Sequence, residues 1–208
     1  MLPIIAVKYP CFNYLHRQSM LMNLTNDLLS QAELLDQNQN EILSWQIHGE
    51  ERLNRRPDSD RWSLYEIIDH LDKVNRSYFD QLAEITLGNG RSLNGLGLWW
   101  GNKLGKFILN GVQPSNTRKV KTFPVWTPTA ITYQDVVFSN FVESQQKMIG
   151  YVKSSGEAVA RDTRIVSPAN KYLYYPLGIA FQIIAVHQLR HIQQGKQVLQ
   201  FFHDEIEP

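Results

Sequence analysis

Apolar residues recur at helical spacing in four long stretches of the chain. In the first, from about Asn23 to Ile47, Leu24, Leu28, Ala32, Leu35, Ile42 and Trp45 share one side with polar residues between them, and Gly49 supplies a stop. The second opens at "RWSLYEIIDHL". Ser63 followed by Glu66 reads as a capping box, in which hydroxyl and carboxylate each satisfy a free backbone N–H. Ile67, Leu71, Val74, Tyr78, Leu82 and Ile85 then form one stripe, ended by Gly88 and Gly90. The third stretch begins at Thr132, with Asp135 in its first turn, and runs to about Ser154, where "SSGE" stops it; Val137, Phe141, Met148 and Tyr151 or Val152 mark its inner side. The fourth follows "KYLYYPLG". Pro176 suits a helix start, and the nearly all-apolar "LGIAFQIIAV" after it predicts a central helix.

Between the second and third stretches the pattern weakens. A short helix is predicted near residues 98–109, and Pro114, Pro124 and Pro128 then indicate an extended connection. That connection is long for a structureless loop, so it is expected to pack across the bundle with Phe123 and Trp126 as anchors. Strand signals are confined to short pieces near 119–125 and 163–166. The predicted fold is all-α: a four-helix bundle with one long crossover connection over residues 21–208, preceded by a poorly structured N-terminal extension over residues 1–20.

Composition narrows the functional classes. A formal charge of +1 gives no basic excess for nucleic acid, and the cluster Arg118, Lys119 and Lys121 reads as solvated surface. Ile4 to Val7, broken by Pro3 and Pro10, is too short to be a secretory core or a bilayer span. A single cysteine, Cys11, cannot form an internal disulfide, which points to a reducing compartment and a cytoplasmic location.

Chemistry is concentrated in the histidines. "AVHQLRHIQQGKQ" sets His187 and His191 one turn apart on the stripe that includes Ala180, Ile184, Gln194 and Val198. His70 lies three residues after Ile67 and four before Val74, on the inner face of the second helix. Two readings stand. These are satisfied core or rim histidines, or they are three ligands of one divalent ion that leave positions open for water or substrate. Other metal motifs fail on detail. A zinc-protease signature needs glutamate where Gln188 stands, and a di-iron bundle needs Glu-x-x-His motifs that are absent. His16, His48 and His203 read as surface residues, as does Arg190. Candidates for the outer shell are Gln194, one turn after His191, and Glu66, one turn before His70, although the capping box already accounts for Glu66. Trp62, Trp99, Trp100 and Trp126 are candidates for pocket walls or for core.

"RWSLYEIIDHL" resembles the opening of the second helix in the DinB-like (DNA-damage-inducible) superfamily, and "YYPLGIAFQIIAVHQLRHIQQGKQVL" resembles its last helix, over roughly residues 23–203. The resemblance implies a four-helix bundle, often a homodimer, that holds a divalent metal through three histidines, here His70, His187 and His191. It also implies a reaction class, since the family includes transferases and isomerases that use low-molecular-weight thiols. The expected cofactor is zinc or nickel, with iron or copper as alternatives. The expected activity is a metal-dependent hydrolase or thiol S-transferase acting on a small molecule, with no nucleic-acid or membrane partner. The alternative is a non-catalytic metal-binding bundle acting in a stress response or through association.

Overall fold

The computed structural model describes residues 11–90, 96–116, 122–129 and 136–205. Helix α1 (Cys11–Leu43) leads through a 3-10 turn at Ser44–His48 into the short α2 (Gly49–Asn54). Gly49 has φ of +73°, a left-handed conformation that costs glycine little because it has no Cβ. The backbone of residues 11–20, expected to belong to a poorly structured extension, is helical and continuous with α1, whereas residues 1–10 lie outside the described residues.

Helix α3 (Leu64–Ser77) begins as the capping box dictates. The Glu66 backbone N–H donates to Ser63 Oγ at 3.2 Å, and the Ser63 N–H donates to Glu66 Oε2 at 2.9 Å. The stripe expected to run unbroken to Ile85 is interrupted at Tyr78, after which α4 (Phe79–Thr86) continues it. The side chain of Tyr78 is buried and its hydroxyl pairs with that of Tyr175 at 2.8 Å. The weakly patterned region holds α5 (Leu96–Gly111), longer than the predicted 98–109, and a 3-10 turn at Pro124–Trp126. This turn replaces the strand expected near 119–125, of which residues 119–121 lie outside the described residues, as does the basic cluster at Arg118, Lys119 and Lys121.

Helix α6 (Val136–Ser154) follows; its expected start at Thr132 also lies outside the described residues. After α7 (Gly156–Ala160), strands β1 (Arg164–Ser167) and β2 (Asn170–Pro176) pair antiparallel, with Ile165 opposite Tyr175. The predicted piece at 163–166 corresponds to β1. Strand β2 went unpredicted because "KYLYYP" reads as a lead-in to the last helix. Helix α8 (Leu177–Asp204) then runs the length of the bundle, with Pro176 as its N-cap.

Helices α6 and α8 each pack against both α1 and α3. Their apolar faces form two clusters. One gathers Leu28, Leu35, Tyr78, Met148, Phe181 and Ile184; the other gathers Ile42, Trp45, Ile67, Phe141, Ile192 and Phe202. Burying side chains of this size contributes about 1.5–3 kcal/mol each. The clusters meet at a polar layer in which Asn38, Asn75, Gln145 and Gln188 are all essentially inaccessible to solvent. Among the described residues no helix is long and apolar enough to cross a membrane. The observed fold is thus all-α, with one small hairpin as an addition.

Candidate metal centre

Helices α3 and α8 lie side by side, and their facing histidines meet. In α3 the stripe that buries Ile67, Leu71 and Val74 carries His70 inward, leaving it 2 % exposed. In α8, His187 and His191 point the same way because they are one turn apart. One potential ligand atom from each of the three residues lies within 4.8 Å of the other two. The ring centroids are 5.2 Å apart for His70 and His187, 4.6 Å for His70 and His191, and 4.5 Å for His187 and His191.

The outer nitrogens fix which lone pairs face inward. His70 Nδ1 lies 2.8 Å from the carbonyl oxygen of Trp126. A carbonyl only accepts, so Nδ1 carries the proton and Nε2 presents its lone pair. That Nε2 is buried and has no hydrogen-bond partner among the described residues. His191 repeats the arrangement, with Nδ1 donating to Gln194 Oε1 at 2.9 Å and Nε2 turned toward His187 Nε2 at 3.1 Å. Two nitrogens about 2.0–2.1 Å from one zinc ion lie roughly 2.9–3.4 Å apart at octahedral or tetrahedral angles. The observed separation of 3.1 Å falls within that interval. His187 differs in having a buried Nδ1 with no partner, so its ring is held by its neighbours rather than by an outer hydrogen bond.

Electrostatics favour neutral imidazoles. Burial pushes His70 from 6.5 down to about 4, against the opposing effect of the Trp126 bond. Burial, then the proximity of His70 and Arg190, brings His187 down to about 3. Burial, then His187 and His70, holds His191 well below its ordinary value, although the Gln194 bond acts the other way. Three buried imidazoles, each with one nitrogen within 4.8 Å of the others, form a group that could hold a divalent ion, and the unpaired Nε2 of His70 is the clearest sign of it.

Several neighbours shape the site. The Trp62 ring stacks on His191, with centroids 5.9 Å apart and planes 15° apart, and leans on His70 at 5.0 Å. Trp126 contributes its carbonyl, and its indole N–H donates to Ser77 Oγ at 3.0 Å. Lys73 ties the same segment to α3 by donating to the Thr127 carbonyl and to Thr129 Oγ1, both at 3.0 Å. The crossover expected to pack across the bundle thus supplies a hydrogen bond to the site itself. Phe123, expected as a second anchor, is 45 % exposed and rests edge-on against Trp126.

Other candidates lie elsewhere. Glu66 does not reach His70; its carboxylate accepts from the Ser63 N–H and pairs with Arg56, whose Nε lies 2.6 Å from Glu66 Oε2. Gln188, at the position where a zinc protease would carry its glutamate, points into the bundle centre. Arg190, expected at the surface, is half-buried and donates to the Gly111 carbonyl at 2.8 Å. Trp100 is 63 % exposed, and the side chain of Trp99 lies outside those described. Trp62 and Trp126 are among the wall candidates of the sequence, but the bond between the Trp126 carbonyl and His70 is not legible there. The available signal was Pro124 and Pro128, which mark a stiff segment around Trp126.

The comparisons with known proteins agree with this architecture. A family model of the DinB superfamily matches residues 34–194, a span from α1 to α8 that includes all three histidines and Gln194. Searches of curated proteins and of solved structures found no match. The matched span covers most of the chain and follows the bundle from its first helix to its last, and the chain belongs to the DinB superfamily.

Proposed function

We propose that the chain holds one divalent metal ion through His70, His187 and His191 and acts as a hydrolase or low-molecular-weight-thiol S-transferase on a small molecule. The observation that supports this most directly is the unpaired, buried Nε2 of His70, beside an i, i+4 histidine pair whose Nε2 atoms lie 3.1 Å apart. When bound, a divalent ion supplies Lewis acidity, which acidifies water for hydrolysis or a thiol for transfer. Zinc or nickel is the expected ion, with iron or copper as alternatives, since imidazole suits all four. The chain's own residues do the rest. Trp126 and Gln194 hold the tautomers of His70 and His191, and burial keeps all three rings unprotonated at neutral pH. Trp62 shields one side of the cluster from water. The near-neutral charge gives no reason to expect a nucleic-acid substrate. A cytoplasmic homodimer remains part of the proposal.

The test is elemental analysis of freshly purified protein, followed by uptake of zinc and nickel and by screens for thiol transfer and hydrolysis. About one divalent ion per chain, lost in His70→Ala and His187→Ala, is the expected result. Protein that is isolated metal-free and takes up neither ion overturns the reading.

The alternative reading is a non-catalytic metal-binding bundle acting through association. Retention of the ion without turnover of any thiol or ester probe would favour it.

A further inference from the structure

Four amide side chains, one each from α1, α3, α6 and α8, meet where the two apolar clusters join. Asn38 is on α1, Asn75 on α3, Gln145 on α6 and Gln188 on α8. Gln188 is saturated. Its Nε2 donates to Gln145 Oε1 at 2.8 Å and to Asn75 Oδ1 at 3.3 Å, while its Oε1 accepts from Gln145 Nε2 at 2.9 Å and from Asn38 Nδ2 at 3.2 Å. Gln145 is saturated too, because its Nε2 also donates to the Leu35 carbonyl at 2.7 Å and its Oε1 also accepts from Asn75 Nδ2 at 2.8 Å. Asn38 Nδ2 reaches the Ala185 carbonyl of α8 at 3.0 Å.

Stability does not account for this layer. Apolar side chains of the same shape would fill the space at least as favourably, since a buried hydrogen-bonded network recovers little more than its own desolvation. What it adds is selectivity. An apolar face tolerates sliding, whereas a saturated set of amides fits in one register and leaves buried donors and acceptors unpaired in any other.

The layer's position relative to the histidines gives that selectivity a purpose. Gln188 follows His187 directly in α8, and Asn75 lies five residues beyond His70 in α3. The bond between Gln188 and Asn75 therefore joins the two helices that carry the histidines, close to where the imidazoles meet. A slip of α8 by one turn, about 5.4 Å along α3, would carry one of His187 and His191 roughly into the other's place and take that other out of bonding reach, leaving His70 with one partner instead of two.

We infer that the amide layer of Asn38, Asn75, Gln145 and Gln188 is the register device that holds α8 against α3 in the one alignment where His70, His187 and His191 converge. Asn75 and Gln188 are positioning residues for the site. The inference rests on the proposed metal-binding reading for its purpose, but the register claim can be measured without metal.

The experiment replaces the layer whole: Asn38→Leu, Asn75→Leu, Gln145→Met and Gln188→Met together. This variant keeps the branching of each asparagine and the reach of each glutamine and removes all four amides of the layer at once. It is expected to remain folded and helical, yet to bind zinc more weakly than wild type by about tenfold or more in chelator competition. In metal-free NMR spectra its histidine side chains should give multiple or broadened signals where wild type gives one set. The second variant, Asn75→Ser, removes the Asn75 bonds to Gln188 and to Gln145 while leaving the other three amides, and is expected to reduce zinc affinity in the same direction. Tyr175→Phe, which removes a buried hydrogen bond to Tyr78 elsewhere in the core, should leave zinc affinity within about twofold of wild type and separates register from general loosening. A fourfold variant with a single sharp histidine set and undiminished affinity overturns the inference. So does unchanged affinity in Asn75→Ser, should the fourfold variant fail to fold. Wild type that binds no zinc, alongside a variant with heterogeneous histidine signals, refutes the metal reading and leaves the register device standing.

Discussion

The carbonyl oxygen of Trp126 accepts a hydrogen bond from Nδ1 of His70 at 2.8 Å, across 56 residues of sequence. That bond makes the crossover part of the site. The carbonyl is seated by the indole of the same residue, whose N–H reaches Ser77 Oγ on the helix that carries His70. Outer hydrogen bonds of this kind typically change metal affinity by about ten- to a hundredfold. Trp126→Phe and Ser77→Ala are each expected to weaken zinc binding by about tenfold while far-ultraviolet circular dichroism stays unchanged. Equal affinities in a chelator competition would show that the carbonyl keeps its place without the indole bond.

Gln194 holds the other outer nitrogen, accepting from His191 Nδ1 at 2.9 Å. Gln194→Ala removes this acceptor and should lower zinc affinity by about tenfold. Gln194→Glu keeps an acceptor in place and makes it anionic, which raises the basicity of the ligand ring. Affinity in that variant should equal or exceed wild type. A fall as large as in the alanine variant would contradict the assigned role.

The pH dependence of stability follows from the depressed histidines. His70 titrates at about 4 and His187 at about 3 in the fold, against 6.5 for an unperturbed imidazole, with burial as the first cause. Below pH 6.5 the unfolded chain takes up protons that the folded chain refuses. The contribution to metal-free stability is therefore complete above 6.5, declines as pH falls, and is lost by about pH 3. Thermal melts of metal-free protein should show the melting temperature falling between pH 6.5 and about 4. Replacing His70 and His187 by leucine together should flatten that slope. A wild-type profile level across this window would remove the case for buried neutral imidazoles.

Gly195 on α8 packs directly against the ring of Trp45, and a Cβ there would collide with ring atoms. The indole is 1 % exposed and rigid, so it cannot swing aside without disturbing the core. Gly195→Ala, which on an exposed helix would stabilise, is expected to destabilise by about 1–3 kcal/mol in urea unfolding. A stability equal to wild type would mean that the core at Trp45 yields more easily than its burial implies.

Helical periodicity is local, and what depends on it was legible along the chain. The four long helices, the capping box at Ser63 and Glu66, and the inward faces of His70, His187 and His191 all follow from spacing within single segments. The same spacing gave no role to Asn38, Asn75, Gln145 or Gln188. Periodicity states which face of a helix turns inward, but not which residue of another helix lies opposite. Tertiary packing alone brought those amides into one layer, placed the carbonyl of Trp126 on His70, and added Arg56 to the Glu66 carboxylate that the capping box already held. It also paired "KYLYYP" with β1, because a strand exists only once a partner meets its backbone groups. The individual chain segments determined which side chains face the bundle's interior. The packing of helices against one another decided whether those side chains meet, since convergence depends on axial register, which no single helix contains.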